Sequence, residues 1–188
     1  MPQDKVLVDT NAYLRLAKEF HPLIGTQIGS SNVYLYVLKE LNEELTYNRL
    51  FHQFAWTQEV QYANNRKQYP TIGKKEKKAI DRNFDFIMQH VKSELLGPDD
   101  VDVRYLAWCL ELKIPVVTDD ADMIKLAKEY DIEVWPILIL LKKMLDSGHT
   151  SMPRITAVVE YLKYASDLPS TRFMAEYKRF FDSSNGAF

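Results

Sequence analysis

Cysteine is almost absent from this chain, since Cys109 is the only one among 188 residues. A single cysteine excludes an internal disulfide framework and any zinc site built on several thiolates. The four histidines are also isolated from one another, and none pairs at metal-ligand spacing. We therefore expect a protein of a reducing compartment, the cytoplasm, without a zinc centre.

Long apolar segments are missing as well. The longest runs from Trp135 to Leu141, far short of the ~20 residues that span a bilayer. The first ten residues lack the basic flank and apolar stretch of an export signal. The sequence predicts no membrane partner.

An excess of charge of one sign is lacking too. Lys and Arg number 24 against 26 Asp and Glu, a net charge of -2. The distribution is uneven, however: residues 66–82 hold seven positive and two negative residues, or +5, whereas residues 99–122 hold two positive and seven negative, or -5. The near-neutral total conceals two opposed segments, so it does not exclude a nucleic-acid partner.

What the chain does have is the composition of one globular domain, with 46% hydrophobic and 27% charged residues. Short aliphatic runs at 5–8, 33–37, 115–118 and 132–135 predict strands. Apolar residues at helical spacing predict helices over 11–20, 38–45, 51–96 with a break near 69–73, 99–112 and 121–130, and mostly helix after 136. Gly97-Pro98 is expected to end the long helix.

Alternating strands and helices of this kind predict a three-layer α/β/α fold around a central, mainly parallel sheet, with extra helices. We expect residues 1–146 to form the domain, including a helical insertion over 51–96. Residues 147–188 then form a C-terminal helical extension packed on the same domain. Its aromatic residues are expected to pack rather than to bind a ligand.

Acidic residues fall at informative places in this alternation. Asp9 ends the first strand, Asp119 and Asp120 follow the third, Glu40 lies just after the second, and Asp102 opens the helix that leads to the third. Sites in open α/β sheets lie beyond the carboxyl ends of the strands, so these five acids should share one edge. A cation would offset their repulsion, and carboxylate oxygens suit Mg²⁺ or Mn²⁺.

Four segments together resemble the motifs of PIN-domain nucleases, particularly the toxin-type endoribonucleases. They are Val6–Asn11 (VLVDTN), Val37–Leu41 (VLKEL), Asp102–Ala107 (DVRYLA) and Pro115–Asp120 (PVVTDD). The resemblance implies a PIN-like fold and a metal-dependent endoribonuclease that hydrolyses RNA phosphodiester bonds. It implies the following site: catalytic acids Asp9, Glu40, Asp102 and Asp120; metal ligands Asp9, Asp102 and Asp120 for Mg²⁺ or Mn²⁺; supporting residues Asn11 and Thr118.

The same resemblance implies biological partners. Many compact PIN proteins are toxins neutralised by an antitoxin protein, and both an antitoxin contact and a homodimer contact are open here. The insertion and the C-terminal helices exceed a minimal domain of this family, which weakens the carry-over of either contact.

The basic segment has two interpretations. Lysines and an arginine at helical spacing usually form a solvated face, but a nuclease must also attract a polyanion to an acidic crevice. We favour RNA phosphate binding by Lys74, Lys75, Lys77, Lys78 and Arg82.

Other functions stay open at this point. Asp9 could merely cap a helix, and Glu40 could be a solvated helix residue. A phosphatase of the haloacid dehalogenase class would use Asp9 as nucleophile, although Asn11 stands where its general acid is expected. The third alternative is a non-catalytic RNA-binding scaffold that keeps its acids as relics.

Overall fold

A computed structural model describes residues 3–47 and 54–182. Its sheet has four parallel strands in the order β2-β1-β3-β4. The strands are β1 (Asp4–Val8), β2 (Val33–Tyr36), β3 (Val116–Val117) and β4 (Val134–Trp135). β1 pairs with β2 through Asp4↔Val33 to Leu7↔Tyr36 and with β3 through Leu7↔Val116 and Val8↔Val117. The predicted parallel sheet is confirmed.

Nine α-helices and one short 3₁₀ helix surround the sheet in the described part of the chain. The helices are α1 (Thr10–Leu16), α2 (Glu40–Tyr47), α3 (Val60–Asn65), α4 (Lys74–Glu94), α5 (Asp100–Leu112), α6 (Ala121–Glu129), α7 (Ile137–Asp146), α8 (Met152–Tyr164) and α9 (Phe173–Phe181); the 3₁₀ helix covers Ala55–Gln58. None of these described helices is both long enough and apolar enough to cross a membrane.

Two hydrophobic clusters cover opposite faces of the sheet because successive side chains of a strand point to opposite sides. Val6 and Val8 of β1 belong to one cluster, with buried residues of α1, α7, α8 and α9. Leu7 between them belongs to the other, with buried residues of α4, α5 and α6. The chain therefore forms the three layers expected of an α/β/α architecture.

The C-terminal aromatic residues lie in this packing. Phe173 and Phe181 are buried in the first cluster, and Tyr177 and Phe180 pack against it partly buried. Ile155 and Leu162 of α8 join the same cluster as β1. These contacts fit the expectation that the aromatic stripe packs.

The long helical stretch predicted over 51–96 differs from the structure. Residues 51–53 lie outside the described part, and the remainder divides into the 3₁₀ helix, α3 and α4. The end of α4 was also predicted wrongly: the left-handed cap is Leu95, with φ 52°, not Gly97. Gly97 has a different role: the backbone passes so close to Asp122 that a Cβ at position 97 would lie 2.2 Å from a carboxylate oxygen of Asp122.

The order of the strands reverses direction between β1 and β3. From β1 the chain moves to β2 on one side, and then to β3 on the other side of β1. Connections that leave in opposite directions open a crevice at the carboxyl ends of such a strand pair, where ligands of open α/β sheets bind. The segments after β1 and β3, at residues 9–11 and 118–120, both begin at this crevice.

Candidate active site at the carboxyl edge of the sheet

Asp9 lies at the centre of this edge. Its backbone N–H donates to the carbonyl of Val117 at 3.1 Å, which fixes it beside the end of β3. Its carboxylate caps α1 by accepting the N–H of Ala12 at 2.6 Å, and the residue is only 5% exposed. Burial raises the pKa of Asp9 to about 7, although hydrogen bonding from Thr118 and Ala12 opposes the rise. Asp9 therefore does cap α1, but capping alone does not require a carboxyl that is buried so completely.

Asp102 approaches from α5. Asp99 caps that helix, and its own backbone N–H donates to Asp102 Oδ2 at 3.2 Å. Burial, followed by the charges of Asp99, Asp120 and Asp9, raises the pKa of Asp102 to about 7. The charges of Asp9 and Asp120 thus act on Asp102 across the carboxyl edge.

Asp120 and Thr118 follow β3. Asp120 is exposed and caps α6 by accepting the N–H of Met123 at 2.8 Å. The buried Thr118 hydroxyl oxygen accepts the N–H of Asp120 at 3.1 Å, and Thr118 also hydrogen-bonds Asp9. Thr118 thus connects the carboxylate of Asp9 with the backbone of Asp120. Asn11 is exposed on the first turn of α1.

Asp119 lies between Thr118 and Asp120, and its charge adds to the raised pKa of Asp9. The N–H of Ile137, at the start of α7, donates to its carboxylate at 3.4 Å. Burial raises the pKa of Asp119 to about 6, against the opposing effects of the Ile137 N–H and of Arg15. Arg15 is held by a bidentate pair with Asp167, at 3.0 and 2.7 Å.

The second predicted acid, Glu40, is engaged with a cation. Its Oε1 lies 4.0 Å from Nε of Arg104, whose guanidinium stacks on Phe84 and also pairs with Asp81. One turn later in α2, Glu44 accepts a hydrogen bond from the hydroxyl of Thr10, the residue after Asp9. Burial is the main cause of a raised Glu44 pKa.

Sequence reasoning missed Glu44 and Arg15. Glu44 follows Glu40 by four residues, so both share one helix face, and that spacing was a usable signal. Arg15 had none, because its role depends on Asp167, 152 residues later. Both residues bring further charge to the carboxyl edge.

The basic segment lies elsewhere. Lys5 Nζ donates to the carbonyl of Thr71 just before α4, and Glu76 in the first turn of α4 shares a cavity wall with Asp4 and Leu112. These contacts place the start of α4 at the amino edge of the sheet. Leu112 and Asp102 stand at opposite ends of α5, about 15 Å apart at 1.5 Å per residue. The first turn of α4 is therefore remote from Asp102, whereas Asp81, further along α4, shares Arg104 with Glu40.

Not every basic residue of the segment 66–82 lies on the surface. The side chain of Arg66 is buried and donates to Asn42 Oδ1 at 2.9 Å and to the carbonyl of Thr57 at 2.6 Å. The five residues predicted to bind RNA are exposed along the first turns of α4: Lys74, Lys75, Lys77, Lys78 and Arg82.

The donor set at the carboxyl edge has the right chemistry for Mg²⁺ or Mn²⁺, because all of its donors are carboxylate oxygens. Their repulsion is also of the kind that a cation offsets. Within residues 3–47 and 54–182, no three side chains of His, Cys, Asp or Glu are grouped so that they could hold a metal ion. The acids of the carboxyl edge therefore fit a divalent cation in the type of donor atom and in charge.

Comparisons with known protein families, with curated proteins and with solved structures found no match to this chain.

Proposed function

We propose that this chain is a metal-dependent endoribonuclease of PIN-like fold and that its active site is the carboxyl edge of β1 and β3. The observation that supports the proposal is the burial of the Asp9 and Asp102 carboxyls, which raises both pKa values to about 7, with the charges of Asp9 and Asp120 adding to the rise at Asp102. These carboxylates come from three separate segments of the chain, and Asp9 and Asp120 follow the two strands between which the strand order reverses. A cluster that serves only as helix caps needs no such convergence.

The proposed division of roles follows from the surroundings of each side chain. Asp9, Asp102 and Asp120 would hold Mg²⁺ or Mn²⁺, and Glu40 completes the acidic set. Thr118 orients Asp9 through its hydrogen bond. A bound divalent ion supplies charge neutralisation and a lower pKa for a water molecule.

Proton handling belongs to the chain itself. With pKa values of about 7, Asp9 and Asp102 both exchange a proton near neutral pH. Nearby positive charge favours ionised carboxyls, so cation binding and proton release are coupled at this edge.

RNA is the proposed substrate, and an antitoxin protein or a second copy of the chain are proposed partners in the cytoplasm. The exposed basic turns of α4 support a polyanionic substrate. Because α4 begins at the opposite edge of the sheet, we propose that its first turn contacts RNA remote from the scissile bond.

Asp102→Asn tests this proposal. The variant should keep its fold and lose cleavage of labelled single-stranded RNA in Mg²⁺ or Mn²⁺ by at least about 100-fold, since even indirect changes around a metal cost about 10–100-fold. Asp100→Asn is the matched control, because Asp100 is exposed in the same helical turn. Thermal unfolding checks the fold, and a chelator should abolish wild-type activity.

Three outcomes would overturn the proposal. Full cleavage by Asp102→Asn would remove Asp102 from the reaction. Intact RNA under all conditions, with RNA still bound, would favour the non-catalytic scaffold. A phosphoryl group trapped on Asp9 after incubation with a phosphomonoester would favour the phosphatase.

A further inference from the structure

A small cavity lies beside the second half of α1. It has a volume of about 190 Å³ and lies between α1, the 3₁₀ segment and α8. Pockets for drug-sized ligands measure roughly 300–1,000 Å³, so this one has room for a single flat ring system. Its walls include Leu14, Arg15, Lys18, Phe54, Trp56 and Tyr161.

Aromatic rings stand on two sides of this cavity. Phe54 and Trp56 come from the 3₁₀ segment, and Tyr161 comes from α8, with 52% of its surface exposed. Trp56 is fixed by an edge contact with Tyr62, with ring centroids 4.8 Å apart. A ring already held in place loses little freedom when a ligand binds. Such rings are the platforms on which unpaired nucleobases stack.

Arg15 connects the cavity to the acids. Its side chain forms part of the wall, it pairs with Asp167 at 2.7 Å, and it interacts electrostatically with both Asp9 and Asp119. Arg15 is therefore the residue through which the cavity wall meets the charges of the acidic edge.

The charges at the rim favour an anionic chain. Lys18 is exposed there, whereas the carboxylate of Glu19 is paired with Nε of Arg154 at 3.4 Å. An apolar protein side chain would fill the cavity without any use for Arg15 and Lys18. A nucleobase attached to a phosphodiester backbone uses the rings and the cations together.

We propose that this cavity binds one unpaired nucleobase of the RNA, next to the phosphate at the acidic edge, with Lys18 near the backbone. The inference rests on the proposed nuclease function and deepens it, because it makes the substrate single-stranded at the cleavage position. Base stacking selects for an unpaired base and tolerates several base types.

Binding to a fluorescein-labelled octauridine, measured by anisotropy in chelator so that the RNA stays intact, tests the assignment. Tyr161→Ala should weaken binding by roughly five- to 150-fold, the range for loss of one stacked base, and Tyr161→Phe should restore it. Tyr164→Ala is the matched control, since Tyr164 is exposed on the same helix outside the cavity wall. A matched abasic oligonucleotide should bind wild type and Tyr161→Ala equally.

Nuclear magnetic resonance supplies a second measurement that needs no variant in the cavity. Titration with uridine 5′-monophosphate should shift the indole N–H signal of Trp56 and leave those of Trp108 and Trp135 in place. Trp135 is a suitable reference because its indole donates to Glu133 at 2.6 Å, away from the cavity.

Equal octauridine binding by wild type and Tyr161→Ala, or an equal loss on the abasic oligonucleotide, would overturn the base assignment. So would an unmoved Trp56 signal, the result expected if a protein side chain fills the cavity instead. Failure of the nuclease proposal would give a different result, because Asp102→Asn would still cleave RNA or the wild type would cleave none. The binding comparison is made in chelator without cleavage, so the two failures can be told apart.

Discussion

Asp9→Asn should stabilise the fold at pH 8 and leave its stability unchanged near pH 3.5. The substitution removes the buried ionisable group and keeps an N-cap residue, since Asn caps helices about as well as Asp. Its carbonyl oxygen can accept the N–H of Ala12 that Asp9 accepts now. The comparison therefore isolates the cost of an ionised carboxylate at this position.

The magnitude follows from the pKa of Asp9, which burial raises from 3.8 to about 7. A shift of about three units corresponds to about 4 kcal/mol at 1.36 kcal/mol per unit. Below pH 3.8 the carboxyl is protonated in both states, so wild type keeps this stability in full. As pH rises through 7 the folded state must ionise as well, and wild type loses the whole amount relative to Asp9→Asn.

Thermal unfolding of wild type and Asp9→Asn at half-unit steps from pH 3.5 to 8, without divalent cations, measures the difference. The midpoint temperatures should separate by about 10 °C at pH 8, at roughly 2–4 °C per kcal/mol for a chain of this size. Asp100→Asn, at an exposed site, should show no such separation. A difference that is constant over this pH range, or an Asp9→Asn protein less stable at pH 8, would refute the reasoning.

Two further predictions concern the basic helix and the second acid. The first variant replaces Lys74, Lys75, Lys77 and Lys78 jointly by glutamine. It should bind long RNA more weakly and with a flatter salt dependence, while cleavage of a four-nucleotide substrate stays unchanged because α4 starts at the opposite edge of the sheet. An unaltered salt slope, measured by filter binding, would rule out this contact. The second variant, Thr10→Val, leaves the Glu44 carboxylate without the hydroxyl that donates to it. Its free energy of unfolding, measured in urea at pH 8, should fall by about 1–3 kcal/mol, and Thr10→Ser should recover the loss. An equal loss in both variants would exclude this hydrogen bond as the cause.

The core strands and most helices could be predicted from local patterns. Lys5 to Val8 is a short aliphatic run bounded by an Asp, and β1 occupies Asp4–Val8. Asp99 capping α5 is equally local, because its carboxylate reaches N–H groups two and three residues ahead. Errors arose at boundaries: α4 stops at Glu94 because Leu95 turns left-handed, although Gly97 carries the stronger stop signal.

Side-chain partners distant in the sequence could not be predicted in the same way. Arg66 counted toward a basic surface, yet it is buried among Asn42 and Thr57. Glu40 was chosen by motif, yet its carboxylate lies beside Arg104. These pairings depend on how helices pack against one another, and no local spacing encodes that.

The sequence by itself determined which acids follow which strands, since hydrophobic runs and caps are set within a few residues of chain. Only the tertiary structure decided that β1 and β3 are neighbours with β2 on the outer side, which brings Asp9 and Thr118 together at one edge. It also decided that the lysines of α4 lie at the other edge and that Trp56 and Tyr161 enclose one cavity. Strand order and helix packing are set by burial summed over both sheet faces, so they emerge only when the whole chain is packed.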